Sequence, residues 1–171
     1  MFKLHHRINR VLIKLSYRFG VSKLFSMPKM LALDPTNLCD LKCPLCPTGL
    51  RDKTVQRGSI KLEQFKIIVN RLGKYLQSIN LYSWGEPLLH KSLVEMIRHT
   101  AINHKIRTIT SVHLGNLSDE QVEGLATSGL DKLIVSVDGA TQEVYEKYRV
   151  GGDIEKVFAN MKRLVEAKKR H

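Results

Sequence analysis

The chain has 171 residues, 43% of them hydrophobic, a formal net charge of +12 and three cysteines. At roughly 150 residues per domain this is one folding unit rather than two. The odd cysteine count, without an apolar leader ending in a small-residue cleavage site, and the interruption of the one apolar candidate by Lys14 and Arg18 exclude a secreted disulfide framework and a membrane-spanning helix, leaving a reduced, cytoplasmic protein as the expectation.

The charge is uneven. Residues 1–33 carry Lys3, Arg7, Arg10, Lys14, Arg18, Lys23 and Lys29 and no acid, while the remainder sets 21 basic residues against 16 acidic ones. Within that leader Leu4, Ile8, Val11, Leu12, Leu15 and Phe19 recur at helical spacing, which predicts a basic amphipathic helix within residues 1–29. One reading is attachment to an anionic membrane surface or to nucleic acid. The other is an extra helix packed on the body with its basic face solvated. Aromatic residues make up only 6% and none interleaves with a basic stretch as a stacking platform would, so no specific nucleic-acid binding is expected.

From residue 30 the pattern becomes regular. "MLALDP" reads as a short strand closed by proline, and "KLEQFKIIVNRLGKYL" as a helix with Leu62, Phe65, Ile68, Val69, Leu72 and Leu76 on one face. "SINLYSW" is strand-like, "KSLVEMIRHTAIN" helical through Leu93, Met96 and Ile97, and "IRTITSV" a β-branched strand. Ser118 with Gln121 forms a capping box for a short helix that Gly129 ends. "KLIVSVDG" reads as a buried strand with a turn after it, and Asp153 caps a last helix that turns Ile154, Val157, Met161, Leu164 and Val165 inward.

The pattern is strand-helix four times over, with strands too apolar to face water, which predicts an α/β fold with parallel strands and helical crossovers over residues 30–171. Four strands do not close a barrel, which takes about eight. An open sheet or partial barrel is therefore expected.

All three cysteines, Cys39, Cys43 and Cys46, fall in "NLCDLKCPLCP". Their spacing would share a helix face, but Pro44 and Pro47 forbid the helix and assign them to a loop. That loop follows a parallel strand, where such sheets place their sites. Three readings stand: a zinc site with a fourth ligand from His99, His104 or His113; an iron–sulfur cube held at three corners; or three buried apolar thiols.

The C-x3-C-x2-C spacing, with Leu45 before the third cysteine, resembles the signature of the radical S-adenosylmethionine (radical SAM) superfamily. Three further stretches match it. "WGEP", with Gly85 and Glu86, resembles the Gly-Gly-Glu motif that receives the methionyl amino group, with Trp84 in place of its first glycine. "VSVDG" resembles the Ser-x-Asp segment near the cofactor ribose, through Ser136 and Asp138. "ATQEVYEKYRVGG" is similar to the stretch that follows in the SPASM-associated branch, where Arg149 would meet the cofactor carboxylate; from residue type alone, Arg149 could equally pair with Glu143 or Glu146 on its own helix. His113 stands where relatives tend to carry asparagine.

The resemblance implies a partial barrel, here with four strand-helix units of the family's six, and so a core truncated after the fourth. It also implies a [4Fe-4S] cluster on the three cysteines and S-adenosylmethionine (SAM) as cofactors. The implied activity is reductive cleavage of SAM to a 5'-deoxyadenosyl radical that abstracts hydrogen, with flavodoxin or ferredoxin as the kind of reductant. Relatives of this branch act on peptides, protein side chains or small metabolites. Two alternatives stay open: a non-catalytic or degenerate cluster-binding fragment, and a zinc-stabilised basic adaptor for membrane or nucleic acid.

Overall fold

Four short parallel strands in the order β1-β2-β3-β4 form the frame of the computed structural model, which describes residues 2–171 and side chains from Leu4 onward. Met1, and the side chain of Lys3 counted in the leader's charge, lie outside the described residues. The strands are β1 (Met30–Ala32), β2 (Ser78–Asn80), β3 (Arg107–Val112) and β4 (Lys132–Val135). Ile79 sits between Leu31 and Thr108, and Val112 is paired with Val135. Single hydrogen bonds carry each ladder one step beyond the formal strands, from Leu33 N–H to the Asn80 carbonyl, Leu81 to Ile109 and Ser136 to Val112. The carboxyl ends of all four strands are thereby aligned.

The crossovers are α2 (Leu62–Leu72), α3 (Leu93–Arg98) and α4 (Asp119–Thr127). The Ser118–Gln121 capping box forms as expected, and Gly129 takes the left-handed conformation (φ 79°) that ends α4. A wider turn at His99–Asn103 extends α3, where the Thr100 hydroxyl donates back to the Met96 and Ile97 carbonyls. After β4 come α5 (Gln142–Tyr148) and α6 (Ile154–Arg170), the latter capped by Asp153 accepting from Lys156 N–H.

The core joins Phe65 and Val69 of α2, Met96 and Ile97 of α3, Leu125 of α4 and Val157 of α6 to Ile79, Leu81 and Val112 of the sheet. Helices cover one sheet face only. Along β3, Thr108, Thr110 and Val112 are buried while Ile109 and Ser111 are half-open, so the expectation of strands covered on both faces gives way to a concave face that is partly open. Strand β4, expected buried, leaves Leu133, Ile134 and Val135 half-buried because it is an edge, paired only with β3 among the described residues. Two helix faces also differ from expectation. Val165 is 54% exposed, with Ala167 and Asn160 taking the buried positions of α6. Leu76 is buried but lies past the end of α2.

The leader folds as α1 (Phe2–Arg18), with the expected apolar stripe turned away from the body. Its contact face is Asn9, with His5, Leu12 and Ile13 half-buried beside it, while Leu4, Ile8, Val11, Leu15 and Phe19 face outward. Asn9 wins the inward position because its amide makes a matched pair of bonds, donating to the Met27 carbonyl (2.8 Å) and accepting from Met27 N–H (2.7 Å).

Candidate cofactor site

The cysteine loop leaves β1 and is tied to its own return limb. The Asn37 amide donates to the Gln56 carbonyl (2.8 Å) and accepts from Gly58 N–H (2.7 Å), while Ser59 and Thr36 join through their hydroxyls (2.8 Å). At the tip, the Cys43 carbonyl accepts from Cys46 N–H and the Cys46 carbonyl from Leu50 N–H. Gly49 lies so close beneath that a Cβ there would sit 2.5 Å from the Cys43 carbonyl oxygen. The prolines thus stand in a compact loop, as their missing donors require.

Cys43 is buried and Cys39 and Cys46 are half-exposed, all three as free thiols. They line one wall of a cavity of about 250 Å³ at the carboxyl ends of the strands. The same cavity is lined by Leu45, which is otherwise 81% exposed, by Gly85 and Glu86 after β2, by Ser136 after β4, and by Arg149 at the end of α5. Every site residue expected from sequence is therefore a wall of one cavity except Asp138, which reaches it through Arg149. The Arg149 Nε donates to the Asp138 carboxylate (2.5 Å), and its Nη1 lies 3.9 Å from the Cys43 sulfur. Arg149 makes no pair with Glu143 or Glu146; Glu143 pairs instead with Lys147 (3.5 Å). Burial pushes the Cys43 thiol up, against the guanidinium that favours its thiolate. Burial also works against the Arg149 charge, but the Asp138 pair outweighs it and holds the guanidinium pKa above its ordinary value.

Gly85 is required, though by the protein itself rather than by open space for a ligand. A Cβ at this position would fall 1.9 Å from the Thr36 carbonyl oxygen and 2.9 Å from the Asn37 Cα. The loop after β2 and the loop after β1 touch backbone to backbone here, and Glu86 N–H donates to the Leu38 carbonyl beside them (2.8 Å). Glu86 is 3% exposed and spends both carboxylate oxygens on main chain, one on Leu88 N–H (3.1 Å) and one on His113 N–H (2.8 Å). Burial pushes its carboxyl up, opposed by the nearby His113 ring and those two N–H donors.

Sequence reasoning missed Asp40, which ties this floor together. The His113 Nε2 donates to one Asp40 oxygen (2.8 Å) and the Asn116 amide to the other (2.8 Å). Gly115 N–H donates to His113 Nδ1 (3.0 Å), so Nδ1 acts as acceptor here and Nε2 carries the proton given to Asp40. Burial resists a charge on His113, but the Asp40 hydrogen bond, Cys39 and Glu86 more than reverse this and push its pKa up to about 10. The two carboxylates beside Nε2 thus favour a charged ring, and the Gly115 N–H facing Nδ1 is the contact that opposes it. Leu114 next to it holds a left-handed conformation (φ 57°), strain of the kind found where a site over-determines the chain. The adjacency of Asp40 to Cys39 was its only signal in the sequence.

His99 and His104 are not near the cysteines. Both rings share the Asn70 amide oxygen (2.9 and 2.8 Å) ahead of β3, at the other end of the sheet. Among the described residues, the group of three ligand atoms lying within 4.8 Å of one another is Cys39, Asp40 and His113, and it takes in one thiol of the three. A single zinc ion would gather its thiolates to about 4 Å apart at Zn–S lengths near 2.3 Å. The three sulfurs do not form such a group within 4.8 Å, and three thiols without a fourth cysteine in the chain suit a cluster held at three corners with one corner left for another ligand.

Residues 33–171 match the radical SAM superfamily, and the chain belongs to it. Among curated proteins it is 33% identical over 136 residues to the PqqA peptide cyclase of Rhodopseudomonas palustris, covering 78% of this chain and 34% of that one. It is 30% identical over 138 residues to a probable GTP 3',8-cyclase of Methanocaldococcus jannaschii, covering 81% and 46%. The chain thus spans between about a third and a half of the length of these relatives. Streptococcus suis SuiB bound to S-adenosylmethionine shares the fold with a TM-score of 0.73 at 19% identity, over 92% of this chain and 35% of SuiB. The partial parallel barrel expected from the motifs is the fold observed.

Proposed function

We propose that residues 30–171 form a radical SAM core, with residues 1–29 a separate basic helical segment, and that Cys39, Cys43 and Cys46 hold a [4Fe-4S] cluster at whose open corner S-adenosylmethionine binds. The observation that carries this is the single cavity shared by three thiols, a guanidinium and the segments that follow all four strands. When bound, the two cofactors supply one-electron reduction of the sulfonium and a 5'-deoxyadenosyl radical that takes a hydrogen atom from the substrate.

The chain's own residues set the stage for that chemistry. Arg149, oriented by Asp138, presents a planar cation suited to the cofactor carboxylate and stabilises the neighbouring Cys43 thiolate. The Gly85 main chain and the Ser136 hydroxyl would face the amino and ribose ends of the cofactor, the Glu86 main chain being held by Leu38 and Leu89, and Leu45 would cover the cluster side against water. Glu86 and Asp40 hold these loops in register rather than moving protons, since their oxygens are already taken by main-chain and side-chain donors. Substrate classes open to the whole protein are peptide, protein side chain or small metabolite; the likeness to a PqqA peptide cyclase supports a peptide and that to a GTP 3',8-cyclase a small metabolite. Electrons would come from a flavodoxin or ferredoxin.

Anaerobic reconstitution of the purified chain with iron and sulfide, followed by reduction and addition of SAM, tests the reading. The expected results are an iron–sulfur chromophore and 5'-deoxyadenosine, both lost in Cys43→Ala. A chromophore without product would favour a non-catalytic cluster-binding chain. Tight zinc with no chromophore would favour the adaptor reading, and cleavage that persists in Cys43→Ala would overturn the assignment.

A further inference from the structure

Helix α1 carries a second surface that the cofactor site does not use. Leu4, Ile8, Val11 and Leu15 form one outward stripe at spacings of four, three and four residues, each 46–60% exposed. Arg7, Arg10, Lys14 and Arg18 are exposed along one flank of that stripe. Phe19, Leu24 and Phe25 continue the apolar surface past the helix end, at 59–80% exposure. A groove lined by Ile13, Tyr17, Val21 and Met27 opens beside it. Such a helix is fixed to the body through the opposite face, by Asn9 to Met27 and by the edge-on contact of the His5 and Tyr75 rings. Its apolar side is held in water.

We propose that α1 is an interfacial anchor that lays the Leu4–Leu15 stripe into the surface of an anionic lipid bilayer. Charge decides among the occupants. A second copy of this chain would bring two acid-free basic segments together. Nucleic acid would satisfy the arginines and leave the aliphatic stripe in water. An anionic lipid surface satisfies both, with hydrocarbon for the stripe and headgroups for the cations, as amphipathic interfacial helices do. No helix among the described residues is long and apolar enough to cross a membrane, so contact of this kind lies along the surface. The anchor attaches beside Met27 and Tyr75, ahead of β1 and β2, whereas the cofactor cavity opens at the strands' other ends.

Flotation of the full chain with vesicles of phosphatidylcholine, with and without phosphatidylserine, tests this independently of any cofactor. Binding is expected on the anionic vesicles, and it should weaken as salt rises. The pair Arg10→Gln and Lys14→Gln should lower the partition coefficient about 25-fold, at about fivefold per cation. Ile8→Glu with Val11→Glu, at exposed positions and with an unchanged circular dichroism spectrum, should abolish binding. Absence of binding, equal binding to neutral vesicles, or binding untouched by the glutamates would each overturn the proposal. So would a dimer in lipid-free solution that the glutamates dissolve, or RNA binding that survives them.

Discussion

Replacing Gly85 by alanine is the sharpest mechanical test of the site. The glycine's φ is not in the left-handed region, so alanine's backbone preferences are not at issue. The added methyl would sit 1.9 Å from the Thr36 carbonyl oxygen and 2.7 Å from its carbon, against a normal C···O contact of roughly 3.3 Å. Two backbones must therefore part by more than an ångström, and neither is a flexible side-chain tip. Overpacking of this kind costs about 1–3 kcal/mol and more where main chain must move; with backbone atoms of two residues in the way, about 3 kcal/mol is expected. For a chain of this size that is a fall in Tm of about 6–12 °C. The wedge also strains the Glu86 to Leu38 bond next to Cys39, so cluster loading per folded chain should fall as well. Thermal melts of the apo chain and iron content after reconstitution give the two readouts. Gly58→Ala is the control, because nothing lies within 4 Å of its virtual Cβ. If Gly85→Ala melts and loads like Gly58→Ala, the two loops do not meet as described and the account of the site's floor is wrong.

Further outcomes follow from the same geometry. Glu86→Ala strips two buried N–H groups of their acceptor and should cost about 2–6 kcal/mol in urea unfolding, at about 1–3 for each orphaned group; Glu86→Gln, which keeps one acceptor, should cost less. Arg149→Lys keeps the charge but loses the planar fork, and should weaken SAM binding by about tenfold or more, read by equilibrium dialysis on the loaded chain. His99 and His104 have pKa values lowered by burial, with mutual repulsion adding for His99. A lowered folded pKa means that stability is full above the unfolded value of 6.5 and is lost as pH falls below it, because the unfolded chain takes up protons first. His104→Gln should flatten that part of the Tm-against-pH curve; an unchanged slope would show that the pair carries no such burden.

Much of the fold was legible because its signals are local. The Ser118–Gln121 box, the Asp153 cap and the glycine after α4 each lie within a turn of what they control, and all three act as expected. The prolines were enough to place the cysteines on a loop. What could not be read depends on partners far along the chain. Asp40 meets His113 across 73 residues and Asn9 meets Met27 across 18, and no periodicity marks either pair. The helix period located a stripe on α1 correctly but could not say which side the body would take. A pair of amide bonds decided that against four aliphatic side chains. Gly85 was singled out for its lack of a side chain, yet the atom that needs the room is a carbonyl oxygen of Thr36. Arg149 was open to two partners on its own helix and instead reaches Asp138, eleven residues back.

The stapled cysteine loop spreads the consequence of a single change. Its limbs are closed by Asn37, Thr36 and Ser59, while the thiols stand on the bend between them. A substitution at the staple, far from any sulfur, would therefore shift all three thiols together, as loosening a hinge moves everything the door carries.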